Sequence, residues 1–317
     1  MKQLTRAFVA VFVVSFALLF WIKELNASEG YSGDKTISVY NWGDYIDEEL
    51  VAKFEEETGY KVIYSTFDSN EAMITKINQG GTNYDVVVPS EYAIQKMVED
   101  DLLQAIDHSL IPNLQYIDDR FLDLSFDPGN KYSIPYFWGT VGIVYNTKLL
   151  EDRTFNSWND LWAEDLENEI LLVDGAREVM GMGLNSLGYS LNSRDDSQLI
   201  EAKEKLDTLT PNIKAIVGDE IKMLLANEEA SIGVVWSGDA ADIMWQNENL
   251  DYVVPSEGSN LWFDNFVIPK DATNVEGAHA FINFMLDPEN AAQNADYVGY
   301  STPNIGAFEY IDRKSVV

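Results

Sequence analysis

The sequence predicts an α/β protein whose strands form parallel sheets joined by crossover helices. Short β-branched runs alternate with amphipathic segments between residues 36 and 92, in the order strand, helix, strand, helix, strand. A second alternation of the same kind begins near residue 170. The chain has 317 residues, which is enough for two lobes of ordinary domain size, each with its own apolar core.

The first half of this pattern carries start and stop signals for its helices. Asp47 is placed to cap a helix that ends before Gly59, and Asp68 and Glu71 have capping-box spacing at the start of the next helix. The extended run 132–145 is too long for an ordinary strand, so we expect it to cross between the lobes. The predicted elements here are strands 36–40, 61–66 and 84–88 and helix 47–58.

The second half predicts another α/β unit and a return to the first lobe through residues 261–265. Its strands are expected at 170–173, 231–236 and 252–254. One helix is expected to begin in the stretch 174–178 and to continue past Met182, and two more are expected at 199–209 and 274–286. Three tryptophans, Trp158, Trp162 and Trp245, are interpreted as core residues.

Composition excludes several classes of function. The chain has 53 acidic and 21 basic residues, a net charge of −32, and such a surface repels nucleic acid. It has no cysteine, which excludes disulfides, thiolate metal sites and a thiol nucleophile. Its two histidines are far apart and are expected to be structural, so neither a metal nor a cofactor is predicted.

The amino terminus has the pattern of an export signal. Lys2 and Arg6 precede the unbroken apolar run 7–22, and residues 1–27 are therefore predicted to direct export. The segment either is cleaved or stays as a membrane anchor, which leaves the protein in the periplasm or on the outer face of the cytoplasmic membrane. Residues 28–35 are interpreted as a linker.

Aromatic residues and acids meet repeatedly where predicted strands end. Aromatic faces attract ammonium groups and pack on methylene chains, and carboxylates bind ammonium groups at the ends of such chains. This combination favours a polyamine ligand. The aromatic candidates are Trp42, Tyr45, Tyr92, Trp236, Trp262 and Tyr300, and the acidic candidates are Asp44, Glu178, Asp239 and Asp264.

Carbohydrate binding, or glycoside hydrolysis, is the alternative that these residues leave open. Aromatic platforms with paired carboxylates also serve sugars, and sequence spacing does not measure the distance between carboxylates. The common nucleotide-binding, zinc-protease and serine-hydrolase motifs are absent from the sequence. A binding protein rather than an enzyme is therefore favoured.

An ordered set of motifs resembles the spermidine/putrescine-binding proteins of bacterial polyamine ABC importers. The likeness extends from about residue 36 to residue 304. The motifs are Tyr40 to Tyr45, Glu57-Thr58-Gly59, Phe67 to Glu71, Tyr84 to Ser90, Ser133 to Tyr136 with Trp138-Gly139, Ala176 to Val179 and Gly299 to Asn304.

This resemblance implies a monomeric, two-lobed receptor of the type II periplasmic-binding-protein fold, with a ligand cleft between the lobes. Such a receptor closes on its ligand and delivers it to the permease subunits in the membrane. The resemblance also implies the ligand-binding residues, which are Trp42, Asp44, Tyr45, Ser90, Tyr92, Glu178, Trp236, Trp262, Asp264 and Tyr300. Lobe 1 is expected at 36–140 plus 262–305 and lobe 2 at 141–261.

Two positions depart from the family pattern. Some relatives carry a second acid where Gly175 stands, so the favoured amine is not indicated. Residues 306–317 are unlike the closing helices of the family, and we expect these helices to be missing from a truncated carboxyl terminus.

Overall fold

The computed structural model describes Phe12, Ser15 and residues 35–151 and 153–311. The predicted export signal, Phe12 and Ser15 apart, lies outside the described residues, as do linker residues 28–34 and the end of the tail, 312–317. None of the helices within the described ranges has the length and apolar character needed to cross a membrane.

The described residues from 35 to 311 contain nine strands and nine α-helices. The strands are β1 (Thr36–Trp42), β2 (Lys61–Phe67), β3 (Val86–Val87), β4 (Ser133–Asn146), β5 (Ile170–Val173), β6 (Ile213–Val217), β7 (Ile232–Trp236), β8 (Leu250–Val253) and β9 (Leu261–Val267). The helices are α1 (Glu48–Thr58), α2 (Asn70–Gln79), α3 (Glu91–Glu99), α4 (Ala176–Ser186), α5 (Asp196–Asp207), α6 (Glu220–Ala226), α7 (Ser237–Gln246), α8 (Val275–Met285) and α9 (Pro288–Val298).

Short 3-10 helices fill several connections between these elements. They lie at His108–Leu110, Pro112–Tyr116, Asp119–Phe121, Pro128–Asn130, Trp158–Trp162, Glu164–Leu166, Thr210–Asn212 and Ile305–Glu309.

The chain divides into two units. Within the described residues from 35 onwards, unit 1 holds 35–136, 264–294 and 304–308, and unit 2 holds 137–151, 153–263, 295–303 and 309–311. The chain therefore changes unit within β4, within β9 and within α9. Each unit has its own sheet and its own apolar core.

The sheet of unit 1 has the strand order β2-β1-β3-β9. β1 is parallel to both β2 and β3, and β9 is antiparallel to β3. Because β1 and β3 are parallel, the segments that follow them lie at one edge of this sheet. The core between this sheet and helices α2 and α3 includes Tyr40, Phe67, Met73, Ile94 and Met97.

The sheet of unit 2 has the order β4-β7-β5-β6, and β8 pairs with β4. β5 is parallel to β6 and β7, whereas β4 is antiparallel to β7 and β8. Helices α6 and α7 cover the core formed by Val144, Leu171, Ile221, Leu225, Val235 and Ile243.

Several predicted boundaries are confirmed and others are wrong. Asp47 caps α1 through a bond from the Glu49 amide, and β5 has the predicted bounds. The strand predicted at 84–88 shrinks to β3 because the Asp85 carboxylate, rather than a backbone carbonyl, binds the Ser38 amide.

Three further differences concern helix caps and one tryptophan. The cap of α2 is Ser69 rather than Asp68, because β2 runs on to Phe67 and shifts the helix start. Helix α5 begins earlier than predicted, because Asp195 caps it. Trp245 is 64% exposed, two residues from the buried Ile243 on α7, so its assignment to the core was wrong.

Candidate functional site

Asp264 on β9 is the most buried acid among the predicted residues, at 5% exposure. The Tyr45 hydroxyl donates to its Oδ2 over 2.7 Å, and the Ser90 hydroxyl donates to its Oδ1 over 2.6 Å. Tyr45 and Ser90 precede Asp264 by 219 and 174 positions in the chain. Unit 1 therefore brings three of the predicted residues together, and two hydroxyl groups orient a buried carboxylate.

Trp42, Asp44 and Tyr45 lie on the segment that joins the end of β1 to α1. The Trp42 ring packs on Phe67 with 4.5 Å between centroids, and its buried Nε1 has no hydrogen-bond partner among the described residues. Asp44 is exposed and has a φ of +47°, a left-handed conformation that aspartate tolerates better than most residues. The Tyr45 carbonyl accepts a bond of 2.6 Å from the Tyr136 hydroxyl, so Tyr45 is fixed at its backbone and at its side chain.

Tyr92 reaches this group through Asn70, which is not among the predicted site residues. The Asn70 amide donates to the Tyr92 hydroxyl over 2.9 Å and to Ser90 Oγ over 3.1 Å, and its Oδ1 accepts from the Ser90 amide. Asn70 is 3% exposed. It lies in the motif Phe67 to Glu71, three residues after the end of β2, and because β2 is parallel to β1 this position is at the same sheet edge.

Unit 2 brings together Trp262 and Tyr300. Their ring centroids are 5.1 Å apart and their planes are at 78°, an edge-to-face arrangement. Both rings rest on glycine backbone, because a Cβ on Gly139 would lie 2.5 Å from Trp262 Cζ2 and a Cβ on Gly238 would lie 2.6 Å from Tyr300 Cγ. Trp262 is 7% exposed, and its Nε1 is buried without a hydrogen-bond partner in the described chain.

Asp239, in the first turn of α7, is an acid that forms a hydrogen bond with this aromatic pair. The Tyr300 hydroxyl donates to its Oδ1 over 3.2 Å. Burial raises the pKa of Asp239 to about 6, because the charged carboxylate loses water, while Lys222 and the Tyr300 hydroxyl act in the opposite direction. The strand-end pattern includes Asp239, whereas the family resemblance does not.

Trp236 and Glu178 are the remaining predicted residues of unit 2. Trp236 is the last residue of β7, is half-buried and stands directly before α7. Glu178 is the third residue of α4, and its Oε1 accepts a bond of 3.3 Å from the Asn260 amide. No group of three or more metal-binding side chains occurs within the described ranges.

Known proteins that are similar to this chain indicate its family. The model of the bacterial extracellular solute-binding protein family matches residues 49–313. The spermidine/putrescine-binding periplasmic protein of Salmonella typhimurium is 41% identical over 286 residues, which cover 89% of this chain and 82% of that protein.

Two solved structures are also similar. A spermidine/putrescine ABC transporter protein from Listeria monocytogenes has 62% sequence identity to this chain, and its structure gives a TM-score of 0.86. The alignment covers 89% of this chain and 87% of the Listeria chain. The substrate-binding protein PotD of Streptococcus pneumoniae is 59% identical with a TM-score of 0.78 over the same shares. The predicted family and α/β fold are confirmed. The chain belongs to the bacterial extracellular solute-binding proteins, among the members related to the spermidine/putrescine-binding proteins.

Proposed function

We propose that this protein binds a polyamine, spermidine or putrescine, outside the cytoplasm and delivers it to the permease of an ABC importer. The observation that carries the proposal is the buried Asp264 carboxylate with its Tyr45 and Ser90 hydroxyl partners. The similarity to spermidine/putrescine-binding proteins of other bacteria supports the same ligand class.

In unit 1, Asp264 binds one ammonium group of the amine. A charge-assisted hydrogen bond of this kind contributes about 1.5–3 kcal/mol. The two hydroxyl groups keep the carboxylate in one orientation, and this lowers the entropy lost when the amine binds. Trp42, Asp44 and Tyr92 complete the contacts in this unit.

In unit 2, Trp262 and Tyr300 bind the methylene chain and face a second ammonium group. A desolvated ring contributes about 2 kcal/mol to such a cation. Trp236 adds a third aromatic surface, and Glu178 supplies a negative charge. The proposal requires residues of both units to bind the same ligand molecule, so the two units act as the lobes that close on it.

Further parts of the proposal concern the state of the protein. It is exported by its amino-terminal segment, as the periplasmic location named for the Salmonella typhimurium relative supports. It acts as a monomer, and it binds its ligand without converting it.

Titration of the intrinsic tryptophan fluorescence with spermidine, putrescine and glucose tests the ligand class. We expect a saturable change with the amines, with a Kd near the micromolar range, or about −8 kcal/mol, and no change with glucose. A response to glucose without a response to either amine would establish the carbohydrate alternative instead.

Asp264→Asn tests the residue on which the proposal depends. The amide keeps an oxygen acceptor but loses the negative charge, so we expect the Kd for spermidine to rise by about ten- to hundredfold. Glu56→Gln, which removes an equal charge from an exposed position of α1, is the matched control and leaves the Kd unchanged. Unchanged affinity of the Asp264 variant would contradict the assignment.

A further inference from the structure

The Glu178 carboxylate folds back over Gly175, the residue that directly precedes α4. A Cβ placed on Gly175 would overlap Glu178 Oε2 and would lie 3.0 Å from its Cδ. Real Cβ atoms essentially never approach other atoms so closely. The observed position of the Glu178 side chain is therefore compatible only with glycine at position 175.

The backbone itself makes no such demand on this position. Gly175 has φ −140° and ψ 108°, an extended conformation that any residue adopts. It caps α4 without a side-chain hydrogen bond, and a residue such as serine or aspartate would provide one. Gly175 therefore provides no side-chain hydrogen bond to the helix start, and the Glu178 carboxylate occupies the space that a side chain at position 175 would fill.

Asn260 binds the other oxygen of the Glu178 carboxylate. Its amide donates to Glu178 Oε1 over 3.3 Å, and Asn260 is only 6% exposed. A glutamate at the third helical position turned toward the helix start is also favoured by the helix dipole. The carboxylate is therefore located between the Gly175 backbone on one side and a buried amide on the other.

We propose that Gly175 is a positioning residue that sets the affinity for the amine through Glu178. The proposal rests on the proposed polyamine function and assigns a role to a residue that contacts no ligand itself. A side chain at position 175 displaces the Glu178 carboxylate from Asn260. The ammonium group of the amine then binds the displaced carboxylate in a different position or does not bind it. Small displacements of a charge-assisted bond weaken it strongly, because its strength depends on distance and direction.

Gly175→Ala tests this role, with Gly181→Ala as the matched control. Gly181 lies within α4, the helix that Gly175 precedes, and a Cβ there would meet Leu191 Cβ at an ordinary 3.6 Å. We expect Gly175→Ala to raise the Kd for spermidine by about tenfold, whereas Gly181→Ala changes it by less than about twofold. If the wild-type protein binds spermidine and the Gly175→Ala variant binds it with the same affinity, the inference is overturned.

A double-mutant cycle separates positioning from a general structural effect. In the Glu178→Gln background the charge is absent, so adding Gly175→Ala should change the Kd by less than about twofold. An equal, tenfold loss in both backgrounds would mean that Gly175 acts on the fold rather than through Glu178.

A crystal structure of the Gly175→Ala variant gives a test that needs no ligand. We expect the Glu178 carboxylate to have left Asn260, and a carboxylate still bonded to Asn260 would overturn the inference. If the wild-type protein binds neither amine, the proposed function fails, and this structure still decides the positioning role.

Discussion

Asp264 and Asp239 show how two buried carboxylates of one chain acquire different properties. Asp264 accepts bonds from two hydroxyl groups, one at each oxygen. Asp239 accepts a longer bond of 3.2 Å from Tyr300, and burial raises its pKa to about 6. At neutral pH the charged form of Asp239 is therefore held against a desolvation cost, which the folded state must offset elsewhere.

Asp239→Asn should stabilise the protein in a pH-dependent way. Because the pKa of Asp239 is raised from 3.8 to about 6 in the folded state, its favourable contribution is complete below pH 4 and is lost as the pH rises through about 6. We expect the variant to be more stable than the wild type by up to about 3 kcal/mol at pH 7.5 and nearly equal to it at pH 4. Urea unfolding at several pH values measures the difference.

The comparison of the two proteins removes the contribution of the other carboxylates, which titrate in both. The charge of Lys222 lowers the pKa of Asp239 and the charge of Asp219 raises it, so Lys222 and Asp219 must be the same in both proteins. A stability difference that is constant from pH 4 to pH 7.5 would contradict the raised pKa.

At this scale the sequence indicates some members of the hydrogen-bonded group in unit 1 but not all of them. The strand-end pattern includes Tyr45 and Asp264, and the family resemblance adds Ser90. Asn70 resembles any residue that starts a helix, since its bonds to Ser90 and Tyr92 span 20 and 22 positions. Contacts of that range depend on how the strands pair, which no local pattern encodes.

Helix α9 holds the segment between β1 and α1 in unit 1. Asn294 accepts a bond of 2.9 Å from the Asp47 amide and donates one of 2.7 Å to the Tyr136 hydroxyl. Tyr136 in turn donates to the Tyr45 carbonyl, and Gln293 donates to Asp47 Oδ2. One face of the helix therefore fixes the segment that carries Tyr45.

Asn294→Ala should destabilise the protein and weaken its amine binding. Asn294 is 1% exposed, and its removal leaves the buried Asp47 amide without its acceptor and takes away the bond that the Tyr136 hydroxyl accepts, while Tyr136 still donates to the Tyr45 carbonyl. An unsatisfied buried group costs about 1–3 kcal/mol, so we expect the unfolding free energy to fall by about 1–3 kcal/mol. Urea unfolding and spermidine titration measure the two effects.

Asn78→Ala is the control for that substitution. Asn78 is exposed within α2, where alanine is a better helix former, so its stability should be equal or slightly higher. If Asn294→Ala behaved like this control in both measurements, α9 would have no part in holding the segment.

Helices and strands followed the sequence where local signals agree with one another. Asp47 and Gly59 bound α1 because capping and left-handed geometry are properties of single residues. β3 is shorter than predicted, because Asp85 also binds the Thr273 and Asn274 amides and so serves a distant helix start. Trp245 was wrongly assigned because its residue type outweighed its position opposite the buried face of α7.

On the scale of the whole molecule, charge and topology act together. The net charge of −32 attracts a polycation over a distance that salt shortens, and this favours fast association at low ionic strength. Retention of the ligand depends instead on a few placed groups. The proposed ligand residues belong to both units, because β4, β9 and α9 each pass from one unit to the other.

A single polyamine should therefore protect backbone amides in both units at once. At a spermidine concentration a hundredfold above Kd, bound segments are stabilised by about 2.7 kcal/mol, which slows their exchange about hundredfold. We expect this slowing, in hydrogen-exchange measurements, at residues 42–45 and 90–92 of unit 1 and at 175–178 and 236–239 of unit 2. Helix α5 carries none of the proposed ligand residues and provides the internal reference.

Calorimetry should give one amine per chain. Protection confined to one unit, or two amines per chain, would mean that each unit binds by itself and that closure of two lobes on one ligand is the wrong mechanism.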